Sequence, residues 1–164
     1  MRRIKVPSKA CAAAVLALGL AALLPVLPAF VGGDVVVVVN PTVPVTSLSF
    51  TELRRIFLGE RQFWSSSLKI SLLMPPPAAR DREVLLKTVY EMSEAQLRQH
   101  WIGKLFRAEA ASAPQMFYSD EEILQAVAAT PGSIAAVDAT KIPKGLKVLR
   151  IDGRLPGESG YRLH

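Results

Sequence analysis

Residues 34–41 read Asp34-Val35-Val36-Val37-Val38-Val39-Asn40-Pro41, and eight residues on the chain reads Ser49-Phe50-Thr51-Glu52-Leu53-Arg54-Arg55-Ile56-Phe57-Leu58-Gly59. Five consecutive valines, with no polar residue between them, suit a strand buried on both faces. Asn40-Pro41 and Pro44 then enforce a turn or extended loop. Ser49 with Glu52 three positions later is a capping box, each side chain taking an orphan N–H of the first turn. Leu53, Ile56 and Phe57 form one apolar side of the helix it opens, Arg54 and Arg55 the other, and Gly59 ends it. A doubly buried strand followed directly by an amphipathic helix is the start of a layered α/β architecture.

The same grammar continues. Ser93-Glu94-Ala95-Gln96 is a second box, leading into Leu97, Trp101, Ile102 and Leu105 as an apolar side. Ser119-Asp120-Glu121-Glu122 is a third, its three acids suiting the helix dipole, with Ile123, Leu124, Val127 and Ala128 at helical spacing. Pro131-Gly132 stops it. A further helix is expected over 81–91, after the break at Pro75-Pro76-Pro77. Strands are expected over 69–74, 115–118, 133–137 and 146–151, and residues 153–164 read as an irregular tail. The predicted fold class is α/β, a mostly parallel sheet flanked by helices.

The chain has 164 residues, with 20 Lys plus Arg against 14 Asp plus Glu, a formal charge of +6. Residues 1–33 hold Arg2, Arg3, Lys5 and Lys9 and no acid, so 16 bases face 14 acids in the remainder. The basic balance comes partly from the terminus. That argues against a nucleic-acid footprint, which needs Lys and Arg clustered on the folded part. Residues 1–9 are cationic, 10–24 are uncharged and rich in Ala and Leu, and Pro25, Pro28, Ala29 and Gly32-Gly33 follow. This order is that of a secretory signal peptide. The apolar run is short for a spanning helix, which needs about 20 residues. The expected division is a signal peptide, or an uncleaved N-terminal anchor, over 1–33 and one α/β lobe over 34–164. Membrane contact is expected only through the N-terminal segment if it is uncleaved. Cys11, the only cysteine, lies at the start of the apolar run, so the lobe itself has no thiol chemistry.

Catalytic patterns are absent. His100 and His164 have no cysteine or carboxylate at metal-ligand spacing. No base–nucleophile pair or phosphate loop is written in the chain. No metal, cofactor or enzymatic activity is expected. The stretch Met74-Pro75-Pro76-Pro77-Ala78-Ala79-Arg80-Asp81 has a more suggestive position, since it joins a strand to a helix. Ligands of open α/β sheets collect beyond the carboxyl ends of strands, where helix starts offer N–H groups to anions. The bland alternative is a rigid proline connector with two solvated arginines, Arg80 and Arg82.

Taken in order, 35–40, 45–49, Glu52 through Trp64, Trp101 with Phe106, Ser119 through Glu122 and Thr130 through Ile134 resemble the phosphate-type substrate-binding proteins of ABC transporters. The resemblance covers about 35–153. It implies a single lobe of the class II periplasmic-binding-protein fold, whose full-length members have two lobes that clamp the ligand, and an exported, periplasmic location. A ligand, if bound, is expected at the loop Ala78–Arg82, through Ala78, Ala79 and Arg80, with Asn40 and Thr42 across the mouth. The departures are specific. Where the family carries a Ser-Gly-Thr type cradle, this chain has Ala78-Ala79-Arg80. A later Gly-Ala-Ile-Gly-Tyr stretch here reads Gly132-Ser133-Ile134-Ala135-Ala136. A buried phosphate without such donors would be costly, so the expected function is weak small-anion binding linked to ABC transport. The alternative is an envelope interaction module, docking on a transporter or another envelope protein, that has lost solute binding.

Overall fold

The computed structural model describes residues 33–164 apart from Lys144. The expected leader over 1–33 therefore lies outside the described residues except at Gly33. Among the described residues no helix is long and apolar enough to cross a membrane.

Strand β1, Val35–Val39, is buried at every position. It lies inside a five-stranded sheet of order β6-β5-β7-β1-β8, with β5 Ser71–Met74, β6 Gln115–Met116, β7 Ser133–Asp138 and β8 Lys147–Val148. β5 pairs in parallel with β6 and with β7, whereas β1 pairs antiparallel with both β7 and β8. Four strands thus point one way, a mostly parallel sheet, and β1 alone runs against them. Alternation along β1 divides the core. Val35, Val37 and Val39 pack with Ile134, Ala136 and Met74 on one face, and Val36 and Val38 pack with Leu73, Ala135 and Val137 on the other. Each buried valine contributes about 1.5–3 kcal/mol by leaving water.

The first face is covered by α1 (Phe50–Phe57), by α2 (Arg80–Val84) with its π-helical continuation Leu85–Tyr90, and by α3 (Glu94–Phe106). The second face is covered by α4 (Asp120–Ala129) through Ile123 and Val127. Both predicted boxes at Ser49 and Ser93 are reciprocal. At Ser119 only half of the box forms. Ser119 accepts from the Glu122 N–H, but Glu122 reaches one residue further back, to the N–H of Tyr118 at 3.3 Å. The expected 81–91 helix begins one residue earlier and widens into a π-helix. That shift lets Leu85, Val89 and Tyr90 all face the core, with the Tyr90 ring edge-on to Phe57 at 6.0 Å.

Three further expectations are refined. The predicted 69–74 strand divides: β4 (Leu68–Lys69) forms a hairpin with β3 (Phe63–Ser65), and β5 belongs to the main sheet. The predicted 146–151 strand also divides. Val148 pairs with Val38, while β9 (Arg150–Ile151) pairs in parallel with β2 (Ser47–Leu48), the chain changing partners at the buried Leu149. The tail over 153–164 has no regular element but is packed against β1. Leu163 O accepts the Val35 N–H at 2.8 Å, and the Tyr161 hydroxyl donates to Val35 O at 2.7 Å. Gly132 is required by close approach: it holds φ +73, and a Cβ there would stand 2.2 Å from Lys69 O.

Candidate functional site

The turn over 75–80 leaves β5 at the end of the sheet where the parallel strands finish. Pro76 O accepts the Ala79 N–H at 3.2 Å, and Ala78 sits at φ 65 within the turn. An alanine held there costs about 1–2 kcal/mol, because its Cβ crowds the following carbonyl. Arg82 locks the turn from below. It is 5 % exposed, donates Nη1 to Pro75 O at 2.9 Å, and forks onto both carboxylate oxygens of Glu94 at the start of α3. That fork holds the Glu94 carboxyl below its usual range, the Arg82 hydrogen bond being the largest cause. Arg82 is therefore not the solvated arginine of the connector reading, but a buried clasp.

Arg80 is exposed and, among the described residues, makes no hydrogen bond or ion pair. Its guanidinium lies against Gly33, where the chain enters β1, and its charge helps lower the Asp138 carboxyl, which is held down chiefly by a hydrogen bond from Thr140. Lys141 bonds Asp120 nearby at 2.5 Å. In the middle sits Asp81, 3 % exposed. Its Oδ1 accepts the Arg82 N–H at 3.2 Å, and its Oδ2 has no partner among the described residues. Burial pushes this carboxyl up, and the charge of Asp120 adds to the push. One of the first N–H groups of α2, that of Arg82, is thus taken by the chain's own carboxylate. The turn supplies no hydroxyl. Lys141 feels the charges of Asp120, Asp81 and Asp138, and Arg80 acts on Asp138 and Glu83.

The structure brings Ala78, Ala79 and Arg80 together but places Asn40 and Thr42 elsewhere. Because β1 runs against β5 and β7, its carboxyl end lies at the opposite end of the sheet: Val39 pairs with Ile134, at the beginning of β7, whereas Val35 pairs with Asp138. Asn40 and Thr42 therefore do not stand across a mouth from Arg80. Their polar groups are also committed. Asn40 Nδ2 donates to Val127 O at 2.8 Å and Ala128 O at 2.9 Å, capping the last carbonyls of α4. Its Oδ1 accepts from Thr42 N and Oγ1, and Thr42 Oγ1 accepts from the Gly132 N–H. The antiparallel placement of β1 is a long-range choice that no local residue pattern announces. Asp81, by contrast, had a visible cue, an acid in the first turn of a helix.

The histidines hold structural contacts. His100 Nε2 meets Leu58 O at 3.0 Å beyond α1, and His164 Nδ1 meets Tyr161 O at 3.0 Å. Among the described residues no group of three or more His, Cys, Asp or Glu is placed to hold a metal.

No family model and no curated relative matches the chain. Solved structures do. A phosphate ABC transporter substrate-binding protein with bound phosphate from Clostridium perfringens shares 12 % identity at a TM-score of 0.60, covering 75 % of this chain and 46 % of that one. An ABC-type phosphate transport receptor from Vibrio cholerae shares 18 % identity at 0.58, covering 75 % and 48 %. A phosphate-binding protein from Stenotrophomonas maltophilia shares 17 % at 0.55, covering 75 % and 40 %. The chain spans somewhat under half the length of these proteins, and at such identities the likeness is one of fold.

Proposed function

We propose, from a fold shared with phosphate-type solute-binding proteins, that this chain is an exported, non-enzymatic binding lobe of a bacterial envelope. In this reading it works beside an ABC transporter or another envelope protein and acts by contact rather than by enclosing phosphate. The observation that supports it is Asp81. Its carboxyl occupies the Arg82 N–H, one of the α2 donors an oxyanion would use, and the charge of Asp120 acts at the same place. A second anion would meet repulsion there, not an empty cradle. A weaker reading rests on Arg80, whose exposed guanidinium has no partner among the described residues and offers a site for loose small-anion contact. Calorimetric titration with phosphate, sulfate and acetate separates the two. Absent binding supports the contact reading. Millimolar binding lost in Arg80→Ala supports the weaker one. Micromolar phosphate binding overturns both.

A further inference from the structure

Beside the turn at Ala78 lies a groove of about 450 Å³, with Arg82 in its lining. Its floor and walls are Met74, Leu97, Trp101, Ile102, Leu105 and Met116, with Pro77 and Ala78 at one rim. α3 was expected to bury Ile102 and Leu105, but they stand 52 % and 41 % exposed. Among the described residues six large hydrophobic side chains are exposed, and three of them, Ile102, Leu105 and Met116, line this groove. Scattered apolar residues need no explanation, but a contiguous patch marks a contact site. Two features identify the occupant. The first is charge. The groove is lined by two guanidiniums, Arg82 and Arg98, and one carboxylate, Glu94, whose oxygens are both held by Arg82. Arg98 is exposed and, among the described residues, makes no hydrogen bond or ion pair; its charge acts on Glu94 one turn away, and the three lining charges leave one positive charge in excess. The second is shape. Arg98, Ile102 and Leu105 follow one another at helical spacing along α3, a stripe that a second helix can pack along.

We infer that this groove is a docking surface for an acidic amphipathic helix of a partner protein, its apolar side laid along Ile102, Leu105 and Met116 and a carboxylate on Arg98. The inference rests on the contact reading of the chain, and the phosphate titration tests that reading separately. Two fluorescein-labelled helical peptides with the same leucine face, one with a glutamate polar face and one with a lysine polar face, are titrated into the full chain by anisotropy. The glutamate peptide is expected to bind at least about tenfold more tightly, a difference of about 1.4 kcal/mol. The gap narrows as salt is raised to about 0.5 M. Arg98→Glu reverses the preference, and Leu105→Ser, at an exposed position that leaves the core intact, weakens the glutamate peptide about tenfold or more, the transfer cost of a leucine. Equal affinity for both peptides, no binding of either, or binding indifferent to Leu105→Ser overturns the inference. A concentration-dependent dimer dissolved by Leu105→Ser also overturns it, by assigning the groove to a second copy of the chain.

Discussion

Asn40→Ala distinguishes a ligand residue from a structural one. The side chain is 4 % exposed and makes four hydrogen bonds, two to the α4 carbonyls of Val127 and Ala128 and two from Thr42. The losses are unequal. Thr42 is exposed, so its N–H and hydroxyl regain water. Val127 O keeps the Ser133 hydroxyl at 3.0 Å. The strongest penalty falls on the junction between β1 and the end of α4, where no polar side chain replaces the amide. At a net value of about 1 kcal/mol for each bond, discounted for the Thr42 pair, the variant loses about 3 kcal/mol. For a domain of about 130 residues this lowers the thermal midpoint by about 10 °C. Urea titration followed by circular dichroism should show the midpoint falling with the slope unchanged. Anion titrations should be indifferent. A stability loss below about 1 kcal/mol, the value of a single net bond, together with an altered anion response, would refute the structural assignment and return Asn40 to the ligand set.

Two other variants address the turn itself. Ala78→Gly removes the left-handed strain at φ 65 and should stabilise the lobe by about 0.5–1 kcal/mol, after allowance for the greater freedom of glycine in the unfolded chain; a loss of stability in denaturant titration would show that the alanine methyl makes a contact worth more than the strain. Asp81→Asn should stabilise at neutral pH by up to about 1 kcal/mol, because it removes the buried charge while the amide still leaves a polar atom at the unpartnered Oδ2 position. The sign follows from the raised carboxyl: the wild-type fold is favoured when Asp81 is protonated, and that contribution fades as pH rises through the folded-state pKa. The gain of the variant should therefore vanish below the ordinary aspartate value of 3.8, and a gain of equal size at both extremes of pH would contradict it.

Much of the architecture was legible in short stretches. Each helix start at Ser49, Ser93 and Ser119 is written in four residues, because capping satisfies N–H groups only a turn away. The valine run announced a strand with two covered faces, since no polar atom interrupts it. The candidate site was only half legible. The turn at 75–80 could be placed at a strand end, but the commitment of Arg82 to Glu94 across the start of α3 depends on where two helices meet. The apolar side of α3 was visible as a pattern, yet the pattern does not say how far the sheet extends beneath it. The sheet stops at β6, and Ile102 and Leu105 remain uncovered.

The residues by themselves determined the elements, their order and the layered class, because those follow from contacts a few positions apart. Tertiary structure decided the direction of β1 among its neighbours, and with it the separation of Asn40 from Arg80. Strand pairing is settled by partners about a hundred residues away, Val35 with Asp138 and with the tail at Leu163. No local propensity encodes that choice, because a valine buries equally well in a parallel or an antiparallel ladder.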